Sequence, residues 1–340
     1  MSSKLWSQNA GCGTDDSAEG KPSKEKAAIP SYSDLFARNY GIFTEAEQER
    51  LRLATILIVG CGGIGGTVAI ILARSGVGRF VLVEFDQYET TNMNRQVACF
   101  KDTLGRNKAE VIGEQILAIN PEAAVEIHNR LLNHAEIASL IPAADIVFPA
   151  ADDFAFSILI FRDAQRLGKT ALLVVPSGTW ANVCLISPHG PAVEKMEGVP
   201  KLETYEELKR MFQTRKYKLG TYDYPLRADW RIDYYRGFIE DNLPPAQLCP
   251  SVWLCSSLGA LEVVKHLTCR WAPVVAPRYW SITKNRIRIQ RINGLSLQTL
   301  LIWQRKLVWY VFQTRLGSGL EFLQNIWWQL FCRWVKYRQG

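Results

Sequence analysis

The stretch TILIVGCGGIGGTVAIILAR, residues 55–74, joins a short apolar run to a cluster of glycines and then to a second, longer apolar run. A short, wholly apolar run that enters glycines is typical of a strand buried on both faces of a parallel sheet. The glycines predict a tight turn, and the apolar run behind them predicts a helix. The stretch therefore predicts a strand–turn–helix unit of an α/β protein.

The same alternation of strands and helices continues along the chain. The run RFVLVEFD (79–86) predicts a second buried strand, and residues 106–119 predict an amphipathic helix. Three further strands are predicted at 124–127, 145–149 and 170–175, with a helix near 154–167. Because parallel strands joined through helices need right-handed crossovers, we expect an α/β fold with a Rossmann-like, doubly wound and mostly parallel sheet, helices on both of its faces and a C-terminal helical extension.

The pattern divides the chain into three regions. Residues 1–30 are polar, lack an apolar run of signal-peptide length and are interpreted as a disordered tail. Residues 31–294 form the main domain, and residues 295–340 form a tryptophan-rich, basic helical extension. Within the main domain we expect a helix over 32–54, an irregular crossover segment at 188–248 with a helix near 205–215, an apolar helix at 250–268 and a hairpin at 278–292.

The glycine cluster has the context of a nucleotide-binding turn. Gly60, Gly62, Gly63 and Gly65 lie between a predicted strand and a predicted helix, where they let a nucleotide approach the backbone. Glu84 closes the second strand, where a carboxylate accepts hydrogen bonds from ribose hydroxyls. The sequence therefore predicts a nucleotide site, and a merely structural turn remains the alternative.

The segment after the second strand indicates which nucleotide binds. Residues 84–96 (EFDQYETTNMNRQ) combine acids, amides and an arginine. A guanidinium can hold phosphate oxygens in a bidentate manner, which suits a triphosphate. A nicotinamide-dependent oxidoreductase would have no use for Asn92, Arg95 and Lys108, and this makes it a distant alternative.

The motifs VGCGGIGG, LVEFD, TNMNRQ and RNKAE together resemble the ThiF/MoeB/HesA superfamily of adenylyltransferases, the fold shared with ubiquitin-activating enzymes. The resemblance covers roughly residues 32–290 and is most specific over 55–153. It implies an enzyme that binds ATP and magnesium, converts a substrate carboxylate to an acyl-adenylate and releases pyrophosphate. It also implies a homodimer.

The resemblance assigns roles to individual residues. Glu84 matches the ribose-binding acid, usually Asp in the family, and Asp86 matches the second acid of that motif. Asn92, Arg95 and Gln96 match an N-x-x-R-Q element whose arginine contacts phosphates. Lys108 matches a lysine that contacts the triphosphate, and Asp152 matches an aspartate that coordinates magnesium. Arg38 matches an arginine that reaches the γ-phosphate of the nucleotide in the partner subunit.

Independent physical reasoning supports the same roles. Adenylation builds negative charge on phosphate oxygens, which Arg, Lys and magnesium stabilise, and one aspartate suffices for magnesium when phosphates supply other ligands. The structural alternative is that Arg38, Arg95 and Lys108 form surface ion pairs and that Asp152 or Asp153 caps a helix.

Eight cysteines are scattered without any C-x-x-C pair, so we expect neither a disulfide framework nor a structural zinc. Cys249 precedes the predicted helix at 250–268, and a helix N-terminus lowers a thiol pKa. Cys249 is therefore the candidate for an acyl-accepting nucleophile, and packing is the alternative. We expect the protein to be cytoplasmic.

The C-terminal region carries most of the net charge. The whole chain has a formal charge of +7, and from Leu297 onward six basic residues stand against one acidic residue, with five of the eleven tryptophans. Two apolar helical runs are predicted, split at Gly317–Gly319, with Leu316, Leu320, Leu323, Trp327, Leu330 and Trp334 in one stripe. Peripheral membrane contact through 297–340 and packing against the protein body or a partner both fit this pattern.

The main hypothesis is ATP-dependent adenylation of the C-terminus of a ubiquitin-like sulfur carrier or of a small precursor peptide. A tRNA threonylcarbamoyladenosine dehydratase-like enzyme of the same superfamily is the first alternative. A non-catalytic nucleotide-binding docking protein is the second. Nucleic acid is expected as a partner only under the tRNA alternative, because the chain before residue 297 is nearly neutral.

Overall fold

The chain folds around one eight-stranded sheet, in a computed structural model that describes residues 30–214, 217–218, 227–292, 297–312 and 315–339. The strands are β1 Thr55–Val59, β2 Arg79–Val83, β3 Ala124–His128, β4 Ile146–Pro149, β5 Thr170–Ser177, β6 Trp180–Ile186, β7 Arg278–Thr283 and β8 Arg286–Arg291. Their order across the sheet is β3-β2-β1-β4-β5-β6-β7-β8. The predicted tail lies outside the described residues, except for Pro30.

The helices cover both faces of this sheet. They are α1 Tyr32–Leu35, α2 Glu45–Leu53, α3 Gly63–Arg74, α4 Lys108–Ile119, α5 His134–Leu140, α6 Phe154–Arg166, α7 Val193–Glu197, α8 Tyr205–Gln213, α9 Ile232–Glu240, α10 Cys249–Thr268, α11 Leu297–Phe312 and α12 Arg315–Gln339. Short 3₁₀ helices span Ala37–Gly41, Thr90–Asn92 and Ile141–Ala143.

Alternate residues of the central strands enter two separate cores. Ile56 and Ile58 of β1 pack with α3, α4 and α10, whereas Leu57 and Val59 pack with α5, α6 and α8 on the opposite face. Successive side chains of a strand point to opposite faces, so a strand covered on both sides must be apolar throughout. This explains why the apolar run at 55–59 is unbroken.

The strand order reverses at β1, which is where a doubly wound sheet opens a crevice. β1 pairs in parallel with β2 on one side and with β4 on the other, and Val59 is in register with both Val83 and Pro149. The loops that leave these three strands therefore emerge side by side at the carboxyl edge of the sheet. Ligands of such folds bind at this edge.

The fold class predicted from the sequence is confirmed, and the sheet is more mixed than expected. Four strand pairings are parallel, and the three that involve β6, β7 and β8 are antiparallel. No element was predicted for Trp180–Ile186, which forms the fully buried strand β6. A tight turn at Gly178, with φ of 53°, returns the chain onto β5.

The single helix predicted over 32–54 is divided into three elements. The chain leaves the 3₁₀ helix at Gly41, and α2 begins anew behind Thr44, whose side chain and that of Glu47 form a reciprocal capping box. The sequence pattern missed this break because the polar face of α2 continues the helical periodicity.

The predicted break at Gly317–Gly319 was also wrong, because α12 begins at Arg315 and contains these residues. Each glycine costs a helix only about 0.5–1 kcal/mol, which the packing of the later turns can offset. Within the described part of the chain, no helix has both the length and the apolar content needed to cross a membrane.

Candidate functional site

The glycine turn between β1 and α3 is shaped by two close backbone contacts. Gly60 has φ of 101°, and a Cβ there would lie 2.6 Å from the backbone of Ala150. A Cβ on Gly65 would overlap the carbonyl oxygen of Gly60. At Gly62 and Gly63 a Cβ would meet only side-chain atoms, the nearest at 3.6 Å and 3.3 Å, so the backbone at the start of α3 is less crowded there.

Glu84 stands at the end of β2 and faces this turn. Its carboxylate accepts hydrogen bonds from the backbone N–H groups of Cys61 (3.0 Å) and Asp86 (3.0 Å). The side chain is buried, and burial raises the pKa of the Glu84 carboxyl, while these two hydrogen bonds and the nearby Lys108 act in the opposite direction. Glu84 therefore braces the glycine turn directly.

Lys108 begins α4 on the other side of Glu84. Its side chain is only 7% exposed, and its Nζ atom lies 3.1 Å from Oδ2 of the half-exposed Asp86. Asn107 caps α4 and donates from Nδ2 to the carbonyl oxygens of Glu84 (3.0 Å) and Asp86 (3.3 Å). A buried ammonium is thereby held at the strand edge, where it can meet an anionic ligand.

Two cavities open at the carboxyl edge of the sheet. The larger cavity has a volume of about 910 Å³, and its lining includes Gly60, Gly62, Glu84, Asp86, Lys108 and Asp152. The smaller cavity has a volume of about 440 Å³, and its lining includes Gly63, Arg95, Gln96, Asp152, Ser177 and Gln247. The segment 150–153 lines both cavities, so Asp152 lies on their common wall.

The N-x-x-R-Q element faces the smaller cavity. Nη1 of Arg95 donates to the carbonyl oxygen of Thr91 (3.1 Å) and to Oδ1 of Asn94 (2.9 Å). Asn92 instead turns inward, where its Oδ1 accepts from the N–H of Glu89 at 3.1 Å, and it lines neither cavity. Arg95 and Lys108, expected to meet on one triphosphate, thus approach the glycine turn from different cavities.

Unpaired polar atoms mark the wall of the smaller cavity. Three buried side-chain oxygens there have no hydrogen-bond partner among the described residues: Oε1 of Gln96, Oγ of Ser177 and Oε1 of Gln247. A buried polar atom without a partner costs about 1–3 kcal/mol. A ligand that supplies N–H donors would relieve that cost.

Asp152 and its neighbour Asp153 have different surroundings. The Asp152 side chain is exposed and makes no hydrogen bond among the described residues. Asp153 caps α6, accepting from the N–H of Phe156 (3.1 Å), and it also accepts from the Tyr205 hydroxyl at 2.7 Å. Of the two carboxylates, Asp152 is therefore the one free to bind a cation, and Asp153 holds the loop in place.

Tyr205 connects this loop to the crossover segment. It lies in the first turn of α8, and its ring packs edge-on against Phe156. Burial and the bond to Asp153 raise the pKa of Tyr205, so its hydroxyl remains a donor. Phe212 and Gln213 at the far end of α8 line the smaller cavity. The position of α8 over that cavity is therefore linked to the loop that carries Asp152.

Two predicted site residues lie apart from both cavities. Arg38 is exposed in the 3₁₀ helix Ala37–Gly41, and Cys249 is a half-buried residue at the start of α10. Neither is among the residues that line the two cavities. Their roles remain predictions.

Among the residues that the structure describes, no group of three or more His, Cys, Asp or Glu side chains could hold a metal ion by itself. Sequence reasoning missed Asn107, Ser177, Tyr205 and Gln247. Asn107 could have been found as a helix cap before the apolar pattern of α4. The other three had no local signal, because each reaches the site from a distant part of the chain.

Comparison with protein families gives a match over most of the chain. The profile described as the ThiF family matches residues 36–299. Protein HesA of Nostoc sp. (strain PCC 7120) is 34% identical over 146 residues, which cover 43% of this chain and 58% of HesA. The chain thus spans little more than half the length of this relative.

Two other relatives match shorter stretches. The tRNA threonylcarbamoyladenosine dehydratase of Haemophilus influenzae is 40% identical over 101 residues, covering 30% of this chain and 39% of that protein. The sulfur carrier protein adenylyltransferase of Thermus thermophilus is 36% identical over 122 residues, which cover 36% of this chain and 45% of that protein.

Solved structures match a larger part. E. coli MccB with MccA-N7isoASN superposes with a TM-score of 0.60 at 26% identity, covering 76% of this chain and 72% of MccB. E. coli MccB with ATP gives a TM-score of 0.58 at 26% identity, and the match covers 78% of this chain and 73% of MccB.

Proposed function

Because this chain belongs to the ThiF family, we propose that it is an ATP-dependent adenylyltransferase that activates a substrate carboxylate as an acyl-adenylate and releases pyrophosphate. The observation that carries this proposal is the pair of cavities with one common wall. Adenylation requires a nucleotide and a carboxylate to meet at the α-phosphate, and the two ligands must reach that point from different sides.

The larger cavity suits the nucleotide. Glu84 lies at its edge in the position of a ribose-binding acid, and Lys108 offers a buried positive charge held by Asp86. The open glycines Gly62 and Gly63 let phosphates reach the start of α3 between the two cavities. MccB, which has been solved with ATP, supports ATP as the nucleotide.

The common wall suits magnesium. This ion prefers one or two carboxylates together with phosphate oxygens and water, and the exposed carboxylate of Asp152 provides such a ligand. When bound, magnesium would neutralise charge on the phosphates. Arg95 would stabilise the charge that develops on the side of the smaller cavity.

The smaller cavity suits the carboxylate substrate. Its unpaired acceptors, Oε1 of Gln96 and of Gln247, match the N–H groups of an extended peptide end. The relatives support this class of substrate, since one is named a sulfur carrier protein adenylyltransferase and MccB has been solved with MccA-N7isoASN. We therefore propose the C-terminus of a ubiquitin-like carrier or of a precursor peptide.

A tRNA dehydratase-like activity is the second candidate. It is favoured by the 40% identity to the tRNA threonylcarbamoyladenosine dehydratase over 101 residues. A homodimer is part of either proposal: the exposed Arg38, which lines neither cavity of its own chain, would reach the nucleotide bound to the partner subunit.

ATP–pyrophosphate exchange tests the proposal. We expect exchange that depends on a peptide or carrier with a free C-terminal carboxylate. Exchange that depends on tRNA would support the second candidate instead. ATP binding without exchange, whichever acceptor is supplied, would contradict both and indicate a docking protein.

Replacing Cys249 with serine is expected to leave this exchange within about twofold of wild type, because forming an acyl-adenylate consumes no thiol. A thioester, if one forms, would appear as a hydroxylamine-sensitive adduct of the wild type that the variant lacks. Cys269, which is exposed, provides the control as Cys269→Ser. Loss of exchange in Cys249→Ser alone would place Cys249 in the adenylation step and contradict this expectation.

Replacing Tyr205 with phenylalanine is expected to raise the KM of the acceptor about tenfold, since a hydrogen bond to a charged group is worth about 1.5–3 kcal/mol. Without the bond to Asp153, α8 loses its tie beside the smaller cavity. The Kd of ATP alone should change little. Tyr234→Phe is the matched control, because that hydroxyl bonds to the Pro244 carbonyl within the crossover segment. Equal effects of both variants would show that Tyr205 only stabilises the segment.

A further inference from the structure

The side chains that the structure describes in the last helix, α12, form two apolar faces, and one of these two faces is buried. Trp328, Phe331, Cys332 and Val335 are buried against a cluster that includes Tyr235 of α9. The rings of Trp328 and Tyr235 lie 5.6 Å apart, centroid to centroid. The buried face thus packs α12 against the protein body, which is one of the two roles that the sequence pattern allowed for the C-terminal region.

The opposite side of α12 is exposed, and we call it the aromatic face. Six apolar or aromatic side chains form this face, and they are 41–87% exposed: Phe322, Ile326, Trp327, Leu330, Trp334 and Tyr337. Because successive residues of a helix are about 100° apart, these six side chains fall within an arc of about 140° around the helix axis. Soluble monomers rarely leave contiguous apolar patches of this kind without a function. The stripe predicted from the sequence thus lies, as far as the structure describes it, on the exposed side of the helix.

The neighbouring helix α11 has a similar exposed stripe. Leu300, Trp303, Leu307 and Tyr310 recur at helical spacing and are 54–73% exposed, whereas Ile302 is buried in the main core. Two consecutive helices therefore each anchor one side to the protein and leave a tryptophan-containing side in water.

The charges beside the aromatic face are positive. Arg333 and Lys336 of α12 are exposed, and the region from Leu297 contains six basic residues and one acidic residue. Two copies of this chain meeting through the aromatic face would bring like charges together. An anionic surface, in contrast, complements these charges.

We propose that the aromatic face of α12 lies on an anionic membrane surface, with the helix parallel to the bilayer. Tryptophan and tyrosine favour the interface because their rings combine an apolar body with a polar group. Basic residues at the border of an apolar stripe add attraction to anionic lipid. This inference is independent of the enzymatic activity proposed above.

Vesicle flotation tests the inference with the full-length protein. We expect flotation with vesicles of phosphatidylcholine and phosphatidylglycerol, much weaker flotation with phosphatidylcholine alone, and a decrease as salt is raised. The double variants Trp327→Ser/Trp334→Ser and Arg333→Glu/Lys336→Glu should each lower partitioning roughly tenfold or more.

Trp271→Ser is the matched control, because Trp271 is 42% exposed but lies outside both C-terminal helices. Circular dichroism verifies that each variant is folded. If the tryptophan variant does not fold, the charge variant still tests the proposal. Absence of wild-type flotation would overturn the proposal. So would charge-independent binding to both vesicle types, or a dimer in solution that the tryptophan variant dissociates.

Discussion

Replacing Asp152 with alanine is expected to lower ATP–pyrophosphate exchange by a factor of at least about a thousand, because the substitution removes the one carboxylate free to hold magnesium on the wall between the two cavities. Under the proposed function, magnesium held by Asp152 would neutralise charge on the phosphates, and the variant would lack this stabilisation. Asp152→Asn should lose nearly as much, since the amide keeps the shape but lacks the charge.

The fold should survive this substitution. Asp152 is exposed and forms no hydrogen bond among the described residues, so the free energy of unfolding should change by no more than about 0.5 kcal/mol. Asp102→Ala removes another exposed carboxylate that lines neither cavity, and it should keep full exchange. Wild-type exchange in Asp152→Ala would remove the assignment of Asp152, whereas an equal loss in Asp102→Ala would point to a general charge effect.

Replacing Gly65 with alanine is expected to lower the free energy of unfolding by about 3 kcal/mol or more. The new methyl group would overlap the carbonyl oxygen of Gly60 and would also approach the Cβ of Ala150 to 3.2 Å. Because two backbone segments meet here, no side-chain rotation can relieve the overlap. Separation of α3 from β1 would also open the turn, so ATP binding should be lost together with stability.

Urea denaturation and equilibrium binding of an ATP analogue measure the two effects. Gly41→Ala is the matched control, because a Cβ at Gly41 meets nothing within 4 Å and this glycine has no left-handed backbone angle. That variant should keep the stability and the nucleotide affinity of wild type. A Gly65→Ala protein as stable as Gly41→Ala would show that the helix and strand can separate at no cost, contrary to the packing described above.

Local sequence patterns were sufficient for the parts of the fold that depend on neighbouring residues. An unbroken apolar run such as 55–59 is typical of a strand covered on both faces of a parallel sheet, and the glycines behind it permit a turn that other residues would block. Glu84 closes β2, and the family resemblance pointed to Asp86 and Lys108 beside it. The fold class, the glycine turn and the family could therefore be predicted.

The partners of each side chain could not be predicted in this way. Lys108 pairs with Asp86, Asn92 turns into its own loop, and Tyr205 reaches Asp153 from a segment 52 residues later in the chain. Strand β6 was missed because its place in the sheet depends on pairing with β5 rather than on a pattern of its own.

The sequence by itself determined the α/β class, the position of the glycine turn and the basic, tryptophan-rich character of the C-terminal region. Only the tertiary structure decided that Asp152 stands on a wall common to two cavities, and which side of α12 is buried. The physical reason is the range of the interactions. Turns and periodic burial arise from residues a few positions apart, whereas cavities and contacts between helices depend on segments that meet only when the chain is folded.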